Sequence, residues 1–155
     1  MNNCIYEIRK EALTLEDRIP LAEVQKLFFP GNPWLVDYVE SIDESERQEA
    51  IEELANELPK GYSVNDDTIS ITQESKDYSG QFKQEILSNL NDEGCEILRK
   101  GSPFLWFKQV LLGTGSILIY FENEIHTLKE FLLLMSGNFY NMDNLYIGAI
   151  YAYHY

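Results

Sequence analysis

Residues 62–71 read Tyr62-Ser63-Val64-Asn65-Asp66-Asp67-Thr68-Ile69-Ser70-Ile71, and here the apolar period drops to two. Tyr62 and Val64 precede the polar triplet Asn65-Asp66-Asp67, and Ile69 and Ile71 follow it. Alternation on both sides of a short polar turn is the pattern of a β-hairpin with one apolar face. Helical patterns flank it on both sides, so the chain reads as α+β.

Immediately upstream lies the clearest helix. Asp43 and Glu46 form a capping box, Ile51, Leu54, Ala55 and Leu58 make one apolar stripe, and Pro59 with Gly61 closes the element. Before it, Trp34, Leu35, Tyr38 and Val39 recur at spacings that predict a short helix with an aromatic anchor. A further helix is expected from Thr14, capped by Thr14 and Asp17 with Pro20 in its first turn, and running to about Phe29. Pro30-Gly31-Asn32-Pro33 stops it.

Downstream, Tyr78, Phe82, Ile86 and Leu90 fall four apart and predict an amphipathic helix over Asp77 to Leu90. Phe104 to Leu112 is apolar enough for a buried strand or a buried helix, and periodicity leaves both open. Ile117 to Phe121 is a β-rich run, Thr127 and Glu130 cap a helix that ends at Gly137-Asn138, and Leu145 to Tyr153 reads as a strand. Strand, helix and strand over this distance suit a right-handed crossover. The expectation is one domain over 1–155: a small mixed or antiparallel sheet, made of hairpin 62–72 and strands near 117–121 and 145–153, with helices packed mainly on one face.

Composition supports a folded chain. At 155 residues, with 45% hydrophobic and 13% aromatic residues, it can bury a core despite a net charge of −14. Cys4 and Cys95 read as free packing thiols of a reducing compartment. Met1 to Lys10 shows neither the apolar run nor the cleavage site of a secretory leader, and the longest apolar run, Phe131 to Met135, is far below the roughly 20 residues that span a bilayer. A soluble cytoplasmic protein is expected, without a membrane partner.

Residues with chemistry are sparse. Glu122, Glu124 and His126 would share a direction if extended, but two carboxylates and one imidazole entering a helix are ordinarily solvated, so no metal is assigned. Cys95 sits among Asp92, Glu93 and Glu96, which disfavour a thiolate. Gly113-Thr114-Gly115-Ser116 leads into a strand, whereas a phosphate cradle leads into a helix. With 26 acidic residues, proximity of two carboxylates identifies no acid–base pair. No catalytic residue and no cofactor is assigned, and the reading leans away from an enzyme.

Charge is the distinctive feature. Nine acidic residues lie between Asp37 and Glu57 against Arg47 alone, more than half of the net charge. With Ile51, Leu54 and Leu58 facing the core, Glu46, Glu49, Glu53 and Glu57 fall on neighbouring exposed positions, where like charges repel. Such a face keeps a domain soluble; it also steers a basic partner and repels nucleic acid and anionic membranes. The second feature is aromatic: Tyr151, Tyr153 and Tyr155 share one face of the last strand, suited either to an interface or to a sheet surface under helices.

In composition alone the acidic, tyrosine-rich chain resembles nuclease inhibitors and toxin-immunity proteins, without a shared motif. The leading expectation is a non-enzymatic inhibitor, immunity factor or DNA-mimicking antagonist that meets a basic protein through Glu46, Glu49, Glu53 and Glu57, with Tyr151 and Tyr153 as further contacts. One alternative is a small enzyme or ligand-binding domain with its site between the aromatic C-terminal strand and the helices; another is a homodimerising regulatory or structural domain.

Overall fold

The computed structural model describes residues 3–28, 36–89, 117–137 and 141–154. Among these residues seven strands form one mixed, open sheet: β1 (Asn3–Arg9), β2 (Tyr38–Ser41), β3 (Tyr62–Asn65), β4 (Thr68–Ile71), β5 (Ile117–Phe121), β6 (Glu124–Thr127) and β7 (Asn144–His154). The described helices are α1 (Leu21–Phe28), α2 (Glu44–Glu57), α3 (Tyr78–Asn89) and α4 (Leu128–Ser136). Strand order is β3-β4-β7-β1-β5-β6, and β2 also pairs with β7. The expected α+β class, the 62–71 hairpin and both C-terminal strands are present.

The centre of the sheet is a strand that the sequence reading did not assign. In β1 five consecutive residues, Cys4 to Ile8, are buried, as befits a strand covered on both faces. It pairs parallel with β5 and antiparallel with β7. The crossover expected between 117–121 and 145–153 is therefore not formed. Glu122 and Asn123, at φ 52° and 66°, make a tight turn into β6, which reverses the chain before α4, and β5 and β7 end up antiparallel on opposite sides of β1.

Two further expectations are corrected. The helix expected from Thr14 to Phe29 is split into a 3-10 turn, Leu15–Asp17, and α1, because Pro20 pushes Ile19 out of helical geometry and the Ile19 N–H is bound elsewhere. Of the helix expected over Trp34 to Val39, Trp34 and Leu35 lie outside the described residues, and Tyr38–Ser41 is strand β2. There Val39 points inward and the registered partners are Tyr151 to His154. In α2 the stripe also differs by one position: Ala55 is exposed, and Arg47 and Ala50 join Ile51 and Leu54 inside. Phe104 to Leu112 lies outside the described residues.

Each face of the sheet carries a core. On one, Tyr6, Ile119, Phe121, Leu145 and Ile147 meet Leu54 of α2 and Phe131 and Met135 of α4, with Phe121 edge-on to Phe131. On the other, Ile5, Leu118, Tyr120 and Tyr153 meet Val24 and Phe28 of α1. The two cores require β7 to change phase. Leu145 and Ile147 face the first core, yet so does Ile150, because register shifts opposite Glu7 and two residues, Gly148 and Ala149, face one. This is a β-bulge.

A buried carboxylate holds the bulge. Glu7 is 1% exposed. Its oxygens accept from Ala149 N at 2.8 Å and from Ile19 N at 3.0 and 3.1 Å, and Arg9 donates to Oε1 at 2.9 Å. A side chain at position 148 would collide with that carboxylate, so only glycine fits. From the side of α2, buried Arg47 donates to Gly148 O at 2.8 Å and to Asp67 Oδ1 at 2.6 Å. Gly148→Ala is expected to lower stability by about 2–3 kcal/mol in urea titrations, the range of severe core overpacking. Glu7→Ala is expected to be comparably damaging. Because it removes the clash partner, the double variant should be less destabilised than the sum of the two; additive losses would show that the two positions do not interact.

Candidate functional site

The acidic residues singled out by sequence lie along α2. Its N-terminus forms the expected capping box: Glu46 N donates to Asp43 Oδ1 and Asp43 N to Glu46 Oε2, both at 2.9 Å. Glu46 is therefore engaged in holding the helix start. Glu49 and Glu57 are exposed and Glu53 is half-buried. Spacings of three and four put all four on one flank of the helix. Among the described residues Glu49, Glu53 and Glu57 form no ion pair, whereas the cation of this segment, Arg47, is turned into the protein toward Gly148 and Asp67.

That charge is felt inside the sheet. Burial pushes the Cys4 thiol up from its ordinary 9.0 to about 11, and Glu53 adds to the shift. Burial likewise holds the Tyr6 hydroxyl neutral well above its usual range, with smaller contributions from Cys4 and Glu53, and this hydroxyl donates to Ala50 O at 2.8 Å. Burial thus favours the protonated thiol at Cys4 and disfavours the thiolate that a nucleophile requires.

Of the two readings of the aromatic face, Tyr153 fits that of a sheet surface under helices. Tyr153 is 1% exposed within the second core, so it is removed from any contact surface. Tyr151 is half-buried and its hydroxyl donates to Ile19 O at 2.6 Å, tying β7 to the segment before α1. At the end of the same strand His154 stacks on Tyr38 at 4.3 Å and meets Glu40 Oε1 at 2.8 Å. Tyr155 and Cys95 lie outside the described residues.

Between the aromatic C-terminal strand and α2 there is a groove of about 400 Å³, bounded by residues 15–20, the turn from β2 into α2, and Ala149 to Tyr151. It contains Arg18, Arg47, Asp43 and Glu44. Sequence reasoning placed an alternative site in this region but named neither arginine. Asp67 joins them, reaching Arg47 at 2.6 Å and Arg18 at 3.7 Å. The available signals were weak: a charged pair, Glu7 and Arg9, within an apolar N-terminal stretch, and a glycine at a phase change in β7.

The residues considered for a metal are dispersed. Glu122 sits in the β5–β6 turn and pairs with Lys10 at 2.6 Å, while Glu124, 77% exposed, is 3.9 Å from His126. Among the described residues no group of three or more His, Cys, Asp or Glu side chains is gathered to hold a metal ion. No helix among them is long and apolar enough to cross a membrane.

No protein family, curated protein or solved structure matches the chain.

The raised thiol has a measurable consequence. Ionisation is harder in the folded chain than in the unfolded one, so the Cys4 contribution to stability is complete below about pH 9 and is lost as pH rises through about 11. In Cys95→Ser protein, Cys4 is expected to resist alkylation at pH 8 until denaturant is added. Stability of the same variant, followed by urea midpoint, should decline above pH 9 more steeply than in Cys4→Ala/Cys95→Ser. Rapid labelling of native protein at pH 8 would contradict the buried placement.

Proposed function

We propose that this chain is a non-enzymatic acidic binding protein that docks a basic protein partner through the flank of α2, acting as an inhibitor, immunity factor or DNA-mimicking antagonist. The observation that carries the proposal is the inward turn of Arg47, which leaves Glu49, Glu53 and Glu57 without a compensating cation among the described residues. Like charges at these spacings destabilise a helix by about 0.2–0.5 kcal/mol per pair, so folding gains nothing from them. A one-signed surface instead raises the on-rate of an oppositely charged partner and repels nucleic acid.

Glu46 belongs to the surface by position but caps the helix, so reversing it confounds docking with stability. The informative variant is Glu49→Lys/Glu53→Lys/Glu57→Lys. Exposed substitutions away from caps, such as those at Glu49 and Glu57, change stability by about 0.5 kcal/mol or less each; Glu53 is half-buried, so the fold of the triple variant is checked by its urea midpoint and Glu49→Lys/Glu57→Lys serves as the control that alters exposed positions alone. A partner captured from host extract at low salt and then purified is expected to associate at least about tenfold more slowly with the triple variant. The wild-type on-rate should also fall as ionic strength approaches physiological values, where the Debye length is about 8 Å. Association indifferent to both salt and reversal would reduce the acidic flank to a solubility device.

A further inference from the structure

The groove beside β7 arises from an incomplete sheet edge. β4 pairs with β7 only as far as Tyr146, and Asp67 O then takes Ile147 N; β2 rejoins the same edge at Tyr151. Between these points no strand among the described residues pairs with β7 on that side, and the opening of about 400 Å³ lies there. Its size is that of a small-molecule site.

Its two arginines are in different states. Arg47 is 7% exposed and engaged by Gly148 O and Asp67. Arg18 makes no hydrogen bond within the described residues: its Nε is buried without a partner, and its closest counter-charge, Asp67 Oδ2, is 3.7 Å away and shared with Arg47. A guanidinium offers five donors, and leaving the buried Nε–H unpaired is unfavourable. The backbone presenting Arg18 is rigid, since Ile19 N is held by Glu7 and Ile19 O by Tyr151. Beside it the wall is apolar: Pro20, Ile42 and Leu15, the last 77% exposed.

We propose that this groove binds a small monocarboxylate with an apolar body, its carboxylate on the Arg18 guanidinium and its hydrocarbon along Leu15, Pro20 and Ile42. A planar carboxylate matches the arginine fork. A multiply charged phosphate does not suit the site, because Asp43 and Glu44 also line it and the chain as a whole carries −14. The reading is independent of the α2 flank, and either can fail alone.

The test uses 4-methylpentanoate and its neutral amide as probes, followed by amide chemical shifts of the full chain. Saturable shifts centred on Ala149 to Tyr151 are expected with the acid. The amide and the Arg18→Gln variant should each bind at least about tenfold more weakly, the effect of losing one charged hydrogen bond. Leu15→Glu, at an exposed rim position, should weaken the acid while leaving the fold intact, which separates loss of binding from misfolding. Inorganic phosphate should not compete. Absence of saturable binding by the acid, equal binding of the amide, or undiminished binding by Arg18→Gln or Leu15→Glu would each overturn the assignment, as would displacement by phosphate.

Discussion

The carboxylate of Glu7, sealed beneath the Gly148–Ala149 bulge, is the contact on which the rest of the structure is arranged. Taking a charged group out of water costs several kcal/mol unless its lone pairs are satisfied, and here they are met by two backbone N–H groups and by Arg9. Those donors come from separate parts of the chain: β1 itself, the segment before α1, and β7. One side chain thus joins the first twenty residues to the last twelve. Losing either backbone partner would leave a buried carboxylate oxygen short of a donor, which is costly in a site shielded from water.

The bulge has a second guarantor. Arg47 reaches from α2 to Gly148 O on the peptide whose N–H side is held by Glu7, and Asp67 of the β3–β4 turn completes the ion pair. The hairpin, the acidic helix and the central pair of strands are therefore linked through a single glycine peptide. The phase change at that peptide lets β7 serve both cores: Leu145, Ile147 and Ile150 on one face, Ala149 and Tyr153 on the other. Without it, a strict period of two would turn one end of the strand's apolar side chains toward the wrong layer.

Internal and surface electrostatics are consequently coupled. Arg9 pairs with buried Glu7 and Arg47 donates to the buried Gly148 carbonyl and to Asp67, with Arg9 also lying 5.5 Å from the Tyr120 ring, so these cations are partly withdrawn from the exterior. What remains outside on α2 is a row of carboxylates, and what remains beside the bulge is Arg18, with a long contact to an aspartate that already has a closer partner. Both surface features follow from how the interior was satisfied.

Sequence alone determined the elements whose signals are local. The capping boxes at Asp43–Glu46 and Thr127–Glu130, the alternation around Asn65-Asp66-Asp67 and the β-rich runs near 117–121 and 145–153 all depend on neighbours within a few residues. The charge of the α2 flank was legible for the same reason, since side-chain positions on a helix follow from spacing. Tertiary structure decided what spacing cannot express. β1 carries a glutamate and an arginine and lacks an alternating pattern, because it is buried on both faces, and its charge is admissible only beside residues 19 and 149. The extended geometry of Tyr38–Ser41, the reversal through β6 and the burial of Tyr153 likewise depend on strand partners or cores distant in sequence. Local periodicity records which faces of an element are apolar; which partner covers each face is fixed only when contacts 100 or more residues apart close together, as Arg47 does with Gly148 and Glu7 with Ala149.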